Sequence, residues 1–242
     1  MADSFSNKGT LYGVGVGPGD PELLTLKALR IIREAPVIAY PAPEQGDSLA
    51  RSIVARHLPG GQTEIVIRMP LEVSRFPAQD VYDGAAQEIA AHLGAGRDVA
   101  ALCQGDPFLY GSFMYLFGRL ARDWKVAVVP GVSSLTACAA ALGAPLAARD
   151  DALAVLPAPL PEDVLEARLR DCDAAAIMKL GRHFAKVRRV LRRLGLEDRA
   201  HYVEHASMAN QRIRALSEIG EGDAPYFAMI LVHKRGEPWR VT

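Results

Sequence analysis

The chain carries no excess of either charge. Its 28 lysines and arginines are matched by 28 aspartates and glutamates. Such a balance gives no global attraction to nucleic acid or to an anionic membrane. Cysteine is scarce: Cys103, Cys138 and Cys172 are odd in number and lack paired spacing. That argues against a disulfide framework and against a cysteine-based zinc site. No apolar run reaches the length that spans a bilayer. The opening eight residues are polar and lack the apolar segment of a secretory leader. Also missing is any Gly-Lys pair, which excludes a P-loop. These absences predict a soluble, cytoplasmic protein with neither a membrane nor a nucleic acid as partner.

What the chain has in quantity is short apolar runs, with half of its 242 residues hydrophobic, enough for one large or two modest domains. Residues 10–16 read as a strand running into Gly17-Pro18-Gly19-Asp20-Pro21-Glu22. There Asp20 suits an N-cap and Pro21 the first helical position, and one helix is expected to continue through Leu23, Leu24, Ala28, Ile31 and Ile32. A dinucleotide-binding turn fails on spacing. Gly13 and Gly15 would need a third glycine at position 18, which is proline; Gly15 and Gly17 would need one at position 20, which is aspartate.

Further along, residues 36–41 and 63–68 predict strands, 48–58 a helix and 69–79 a loop, with Asp80 capping a helix over 81–93. This alternation implies a parallel sheet. It leads to a buried strand at 97–102, the stretch Gln104-Gly105-Asp106-Pro107-Phe108-Leu109-Tyr110-Gly111-Ser112, and a packed helix at 113–120. Ligands of open α/β sheets sit at the carboxyl edge of such strands. By itself the stretch is equally ordinary turn chemistry. A strand at 125–129 then ends in Pro130-Gly131-Val132-Ser133-Ser134, where Ser133 is placed to cap a helix over 134–142.

Composition changes here, predicting domains at 1–129 and 130–242. In the second, residues 152–156 and 174–178 read as strands and 162–170 as a helix. The run from 184 to 194 places Phe184, Val187, Leu191 and Leu194 on one helical face with its basic residues mostly outside. Such a charge run is usually a solvated face, and the alternative is a rim that attracts a polyanionic small molecule. Residues 200–204, 211–216 and 226–232 read as closing strands, two of them antiparallel. His201 and His205 would lie about 13 Å apart on a strand, too far for one ion, so no metal site is expected.

Five separated segments coincide with one pattern: Gly13-Val14-Gly15-Val16-Gly17-Pro18-Gly19-Asp20, Gly105-Asp106-Pro107, Val129-Pro130-Gly131-Val132-Ser133-Ser134, Met178-Lys179 and Glu204-His205-Ala206. In order and spacing they resemble the tetrapyrrole methylase family over essentially the whole chain. Segments 110–116 and 181–188 resemble the branch that methylates the meso carbon between the first and last rings of an early cobalamin precursor. Gln104 departs from the pattern, which has an acid before Gly105.

The resemblance implies an α/β fold of two domains with mixed sheets and an active site in the cleft between them. It also implies S-adenosyl-L-methionine as methyl donor (S-adenosyl-L-homocysteine as product), a tetrapyrrole substrate and a homodimer. Carried over by position, the donor would meet Pro18, Gly105, Asp106, Leu109, Ser133, Ser134, Met178, Ala206 and Ala228. Tyr110, Lys179, Arg182 and Lys186 would meet the acidic substrate. The catalytic candidates are Asp106, which could orient its loop or the donor, and Tyr110, His183 and Glu204, any of which could take a proton. Competing readings are methylation of another ring position or of a cobalt-containing ring, a nucleotide-dependent oxidoreductase, and a non-catalytic tetrapyrrole carrier or RNA-binding module.

Overall fold

A computed structural model describes residues 7–70, 79–220, 222 and 224–235. The chain divides into two compact units, Met1–Ser133 and Ser134–Thr242.

The first unit is built on five strands: β1 (Thr10–Gly15), β2 (Val37–Pro43), β3 (Thr63–Met69), β4 (Val99–Cys103) and β5 (Lys125–Val129). They lie in the order β3-β2-β4-β1-β5, and every pairing is parallel. The helices are α1 (Leu26–Glu34), α2 (Leu49–Val54), α3 (Gln79–Gly94) and α4 (Phe113–Leu120). Helices α1 and α2 pack on one face, over Val14, Ile38, Ala100 and Leu102. Helices α3 and α4 pack on the other, over Leu11, Ala39, Val99 and Ala101. Strand β4 is therefore buried on both faces throughout, which is why its sequence is a continuous apolar run instead of an alternation. From β1 the chain crosses to β2 on one side, and from β4 it crosses to β5 on the other. That makes the carboxyl ends of β1 and β4 a topological switch point, where doubly wound sheets leave a crevice.

Local chemistry moves some boundaries. The single helix expected from position 21 is broken in two, because each of two caps is satisfied. Asp20 accepts from the Glu22 N–H at 2.8 Å and heads a 3₁₀ turn, Pro21–Leu23. Leu24 is extended, and Thr25 accepts from the Ala28 N–H at 3.1 Å to open α1. Asp80 lies inside the first turn of α3 and does not cap it, and α2 gives way to a 3₁₀ turn at Ala55–His57. Most of the loop expected at 69–79 lies outside the described residues.

The second unit opens with α5 (Ser134–Leu142), followed by β6 (Leu153–Pro157), α6 (Glu162–Arg170), β7 (Ala174–Met178) and α7 (Phe184–Arg193), and then by β8 (Ala200–Glu204), β9 (Arg212–Ala215) and β10 (Ala228–His233). Its sheet runs β6-β7-β10-β8-β9, with β10 antiparallel to β7 and β8, and β9 antiparallel to β8. Mixing is thus confined to this sheet: in the first unit each strand returns through a helical crossover, which keeps neighbours parallel, as its alternation of strand and helix implied. Helices α6 and α7 cover one face and α5 the other.

On helix α7 the basic residues are mostly outside, as expected: Arg189, Arg192 and Arg193 are exposed, and Arg188 is the exception. Val190 is buried with Phe184, Val187 and Leu191, and so is Arg188. The Arg188 guanidinium meets Glu197 at 2.6 Å and donates to the Ser217 and Ile219 carbonyls. No helix among the described residues is long and apolar enough to cross a membrane.

Candidate functional site

Strands β4, β1 and β5 are neighbours, so the loops after them meet along one sheet edge. Gly105 and Gly17 form an isolated bridge, in which the Gly105 N–H donates to the Gly17 carbonyl at 2.8 Å and the Gly17 N–H to the Gly105 carbonyl at 3.4 Å. The Val16 N–H donates to the Cys103 carbonyl at 2.9 Å. These are the amides that would cradle a phosphate in a nucleotide-binding turn. Here they are consumed by the β4 loop, in line with the failed glycine spacing. Gln104 adds a third tie between the two loops, its Nε2 donating to the Pro18 carbonyl at 3.1 Å. A carboxylate at that position would have no proton to donate, so the departure from the family pattern has a physical role here.

The β5 loop is pressed against the other two. A Cβ on Gly131 would lie 2.1 Å from the Gly105 oxygen and 2.8 Å from the Gly15 Cα. Asp106 holds this arrangement: its Oδ1 accepts from the Phe108 and Leu109 N–H groups at 2.9 and 3.1 Å, and its Oδ2 from the Gly131 N–H at 3.1 Å. These bonds match the loop-orienting role considered for Asp106. Gly105 itself has φ +70 and nothing within 4 Å of an added Cβ, so its backbone faces open space. Phe108, Leu109 and Tyr110 are exposed beyond it, and Tyr110 takes a left-handed conformation (φ 55). Ser133 ends the first unit half-buried, three residues from Pro130. Burial raises the pKa of the nearby Cys103 thiol, which removes it as a nucleophile at neutral pH.

In the second unit, one edge of the sheet collects the other candidates. Met178 ends β7 opposite Met229, and Glu204 ends β8 opposite Ala228. Lys179 (φ 58) and His205 (φ 49) follow these strands in left-handed conformations, as does Ser207 (φ 65). Strain of this kind costs of order 1–3 kcal/mol per residue and concentrates at functional sites. Ala206 and Met178 pack in the cluster formed with α5, the helix that Ser134 opens.

Glu204 accepts from the Tyr202 hydroxyl at 2.7 Å, and that hydroxyl's pKa is pushed up, first by burial and then by Glu204. His183 and Arg182 lie on the 3₁₀ turn Gly181–His183, after Lys179. Desolvation lowers the His183 pKa, with the Lys186 and Arg182 charges adding to it. Lys186 donates to the Leu160 carbonyl at 2.5 Å, and burial lowers its pKa too. His201 is exposed on β8 whereas His205 lies past its end. Among the described residues no group of three or more His, Cys, Asp or Glu could hold a metal ion.

Residues 10–220 match the family described as Tetrapyrrole (Corrin/Porphyrin) Methylases. A precorrin-2 C(20)-methyltransferase from a Sinorhizobium species is 42% identical over 232 residues, covering 93% of this chain and 95% of that protein. The cobalamin biosynthesis protein CobIJ of Mycobacterium bovis is 45% identical over 236 residues, or 94% of this chain, which spans only 46% of that relative's length. Among solved structures, uroporphyrin-III C-methyltransferase from Thermus thermophilus, complexed with S-adenosylhomocysteine, superposes with a TM-score of 0.69 at 27% identity, covering 93% of this chain and 98% of that one. With the matched segments falling on the three-loop edge and on the strained strand ends, the chain belongs to the tetrapyrrole (corrin/porphyrin) methylases.

Proposed function

We propose that the chain is an S-adenosylmethionine-dependent methyltransferase that methylates the C-20 meso carbon of precorrin-2, giving precorrin-3A in cobalamin biosynthesis. The observation that carries this is the 42% identity to the Sinorhizobium enzyme over nearly the full length of both chains. A homodimer in the cytoplasm completes the reading.

The residues present suit such a donor. It has no phosphate to hold, and the amides of the glycine-rich loop are already spent on β4. In the first unit the Cα of Gly105 meets open space and Leu109 is exposed; in the second, Met178, Ala206 and Ala228 are apolar or small and stand at one end of the sheet. When bound, S-adenosylmethionine supplies a methyl group activated by the adjoining sulfonium charge. The chain's task is then alignment, which in well-oriented reactions accounts for roughly 7–11 kcal/mol of barrier.

Asp106 performs part of that task by locking the Phe108–Tyr110 loop to the β5 loop, which fixes the Gly105 backbone and aims Tyr110. Gln104 in turn holds the Pro18 carbonyl and with it the glycine-rich loop. For removal of the meso proton, the lowered pKa keeps the His183 imidazole neutral near pH 7 and able to accept. Glu204 is the second acceptor, its carboxylate oriented by the Tyr202 hydroxyl. Tyr110 and Lys179, on left-handed backbone, complete the contacts assigned to the substrate.

Calorimetry with S-adenosylhomocysteine, followed by turnover of metal-free and cobalt-loaded precorrin-2 with the new methyl located by NMR, tests this. Binding of the demethylated donor and a methyl at C-20 of the metal-free ring are expected. No binding, or a methyl at another position, overturns it.

A further inference from the structure

We infer that Arg212 and Arg214, on the edge strand β9, form a carboxylate-binding pair for the acidic substrate; this rests on the methyltransferase reading above. The basic helix is not free for that role. Arg188 and Arg192 share Glu197, while Arg189 and Arg193 are held by Glu162. The Lys186 ammonium is bound to a carbonyl. Strand β9 is different. All four of its residues are exposed, and neither of its arginines makes an ion pair or hydrogen bond among the described residues.

Position makes these two charges useful. Arg212 lies in register with Glu204 and Arg214 with Tyr202, so both guanidinium-bearing positions share the face of those side chains, roughly 7 Å apart along the strand. Arg212 is level with the strand end that carries Glu204, His205 and Ala206. The turn leading into β9 is fixed: the Ser207 N–H donates to the Gln211 Oε1 at 2.7 Å, the Met208 N–H to the His205 carbonyl at 2.9 Å, and the Gln211 N–H to the Met208 carbonyl at 3.0 Å. His205 and Ser207 are both left-handed within it. A strained, hydrogen-bonded turn that delivers two unpaired guanidinium groups suits capture of two carboxylate arms of a rigid ring. Arginine is the residue for this, because its planar fork pairs both oxygens of a carboxylate and stays charged at any working pH.

The competing role for these charges is to keep an edge strand from pairing with another chain. Binding of uroporphyrin, an octacarboxylate that needs no turnover, separates the two by fluorescence. The single variants R212Q and R214Q are expected to weaken binding about fivefold each and the double variant about twentyfold, with the loss shrinking as salt rises. With precorrin-2 the same variants raise KM and leave kcat unchanged, as loss of uniform binding does. R212K recovers part of the affinity. The dissociation constant for S-adenosylhomocysteine stays at the native value, since neither arginine is assigned to the donor. Uroporphyrin affinity in the double variant within twofold of native overturns the inference and leaves β9 a guarded edge. Failure of the native protein to bind S-adenosylhomocysteine instead overturns the methyltransferase reading.

Discussion

Replacing Asp106 by asparagine tests whether this carboxylate is the fastener of the three loops. Asparagine is the same size but has one acceptor oxygen and one amide. If the oxygen keeps the Phe108 and Leu109 N–H groups, the amide must face the Gly131 N–H, setting donor against donor. Flipping the amide restores Gly131 at the expense of the other two, so the first orientation is preferred. The cost is one buried donor left unmet, about 1–3 kcal/mol, plus the weakening of two bonds that are no longer charge-assisted. A local loss of about 2 kcal/mol makes the Gly131 amide exchange with solvent about thirtyfold faster, while Phe108 and Leu109 change by a few-fold. Alanine releases all three amides together. Hydrogen exchange resolved by residue reads this directly, and affinity for S-adenosylhomocysteine is expected to fall in the order native, D106N, D106A. An unchanged Gly131 exchange rate in D106N would show that backbone packing against Gly15 and Gly105 holds the β5 loop without the carboxylate.

Three further outcomes follow from the same geometry. Arg188→Met leaves Glu197 to Arg192 alone, strands the Ser217 and Ile219 carbonyls in the second unit and is expected to cost about 2–3 kcal/mol in chemical denaturation, whereas Arg189→Gln, at an exposed pair, costs under about 1 kcal/mol; equal losses would contradict the burial of Arg188. Hydrogen bonding from Arg51, aided by Tyr40, lowers the Glu64 pKa to about 2, so its stabilising contribution is whole above the ordinary carboxylate value of 4.5 and is lost as pH falls from there toward 2. Glu64→Gln should therefore be less stable than native at neutral pH and converge with it in acid, and a constant gap across that range would refute the coupling. Gln104→Glu places a carboxylate against the Pro18 carbonyl and is expected to weaken S-adenosylhomocysteine binding about tenfold at pH 7.5, recovering toward pH 5 as the new acid gains a proton to donate; a flat pH profile would show that the Gln104–Pro18 bond does not support donor binding.

Much of this molecule was legible in one dimension. Hydrophobic period and turn residues announce β1 to β5 and the helices between them, because each is decided by side chains within a few positions of one another. The motif glycines and Asp106 could be named on the same ground. What Asp106 does could not, since one of its partners is 25 residues away, and the carbonyl that accepts from Gln104 is 86 residues away. The same limit explains α7. Its amphipathic face was readable, but the sinking of Arg188 onto Glu197 and the pairing of Arg189 and Arg193 with Glu162 depend on which elements fold against it.

The chain's own order therefore determined which segments become strands and helices, and the family to which their motifs belong. Only the tertiary structure decided that mixing is confined to the second sheet, that the Val16 and Gly17 amides serve the β4 strand and loop in place of a phosphate, and that Arg212 and Arg214 stand exposed on β9 beside the strand carrying Glu204. The reason is range: backbone conformation is set mostly by neighbours in sequence, whereas a charge or an amide is spent on whatever partner folding brings within 3 Å.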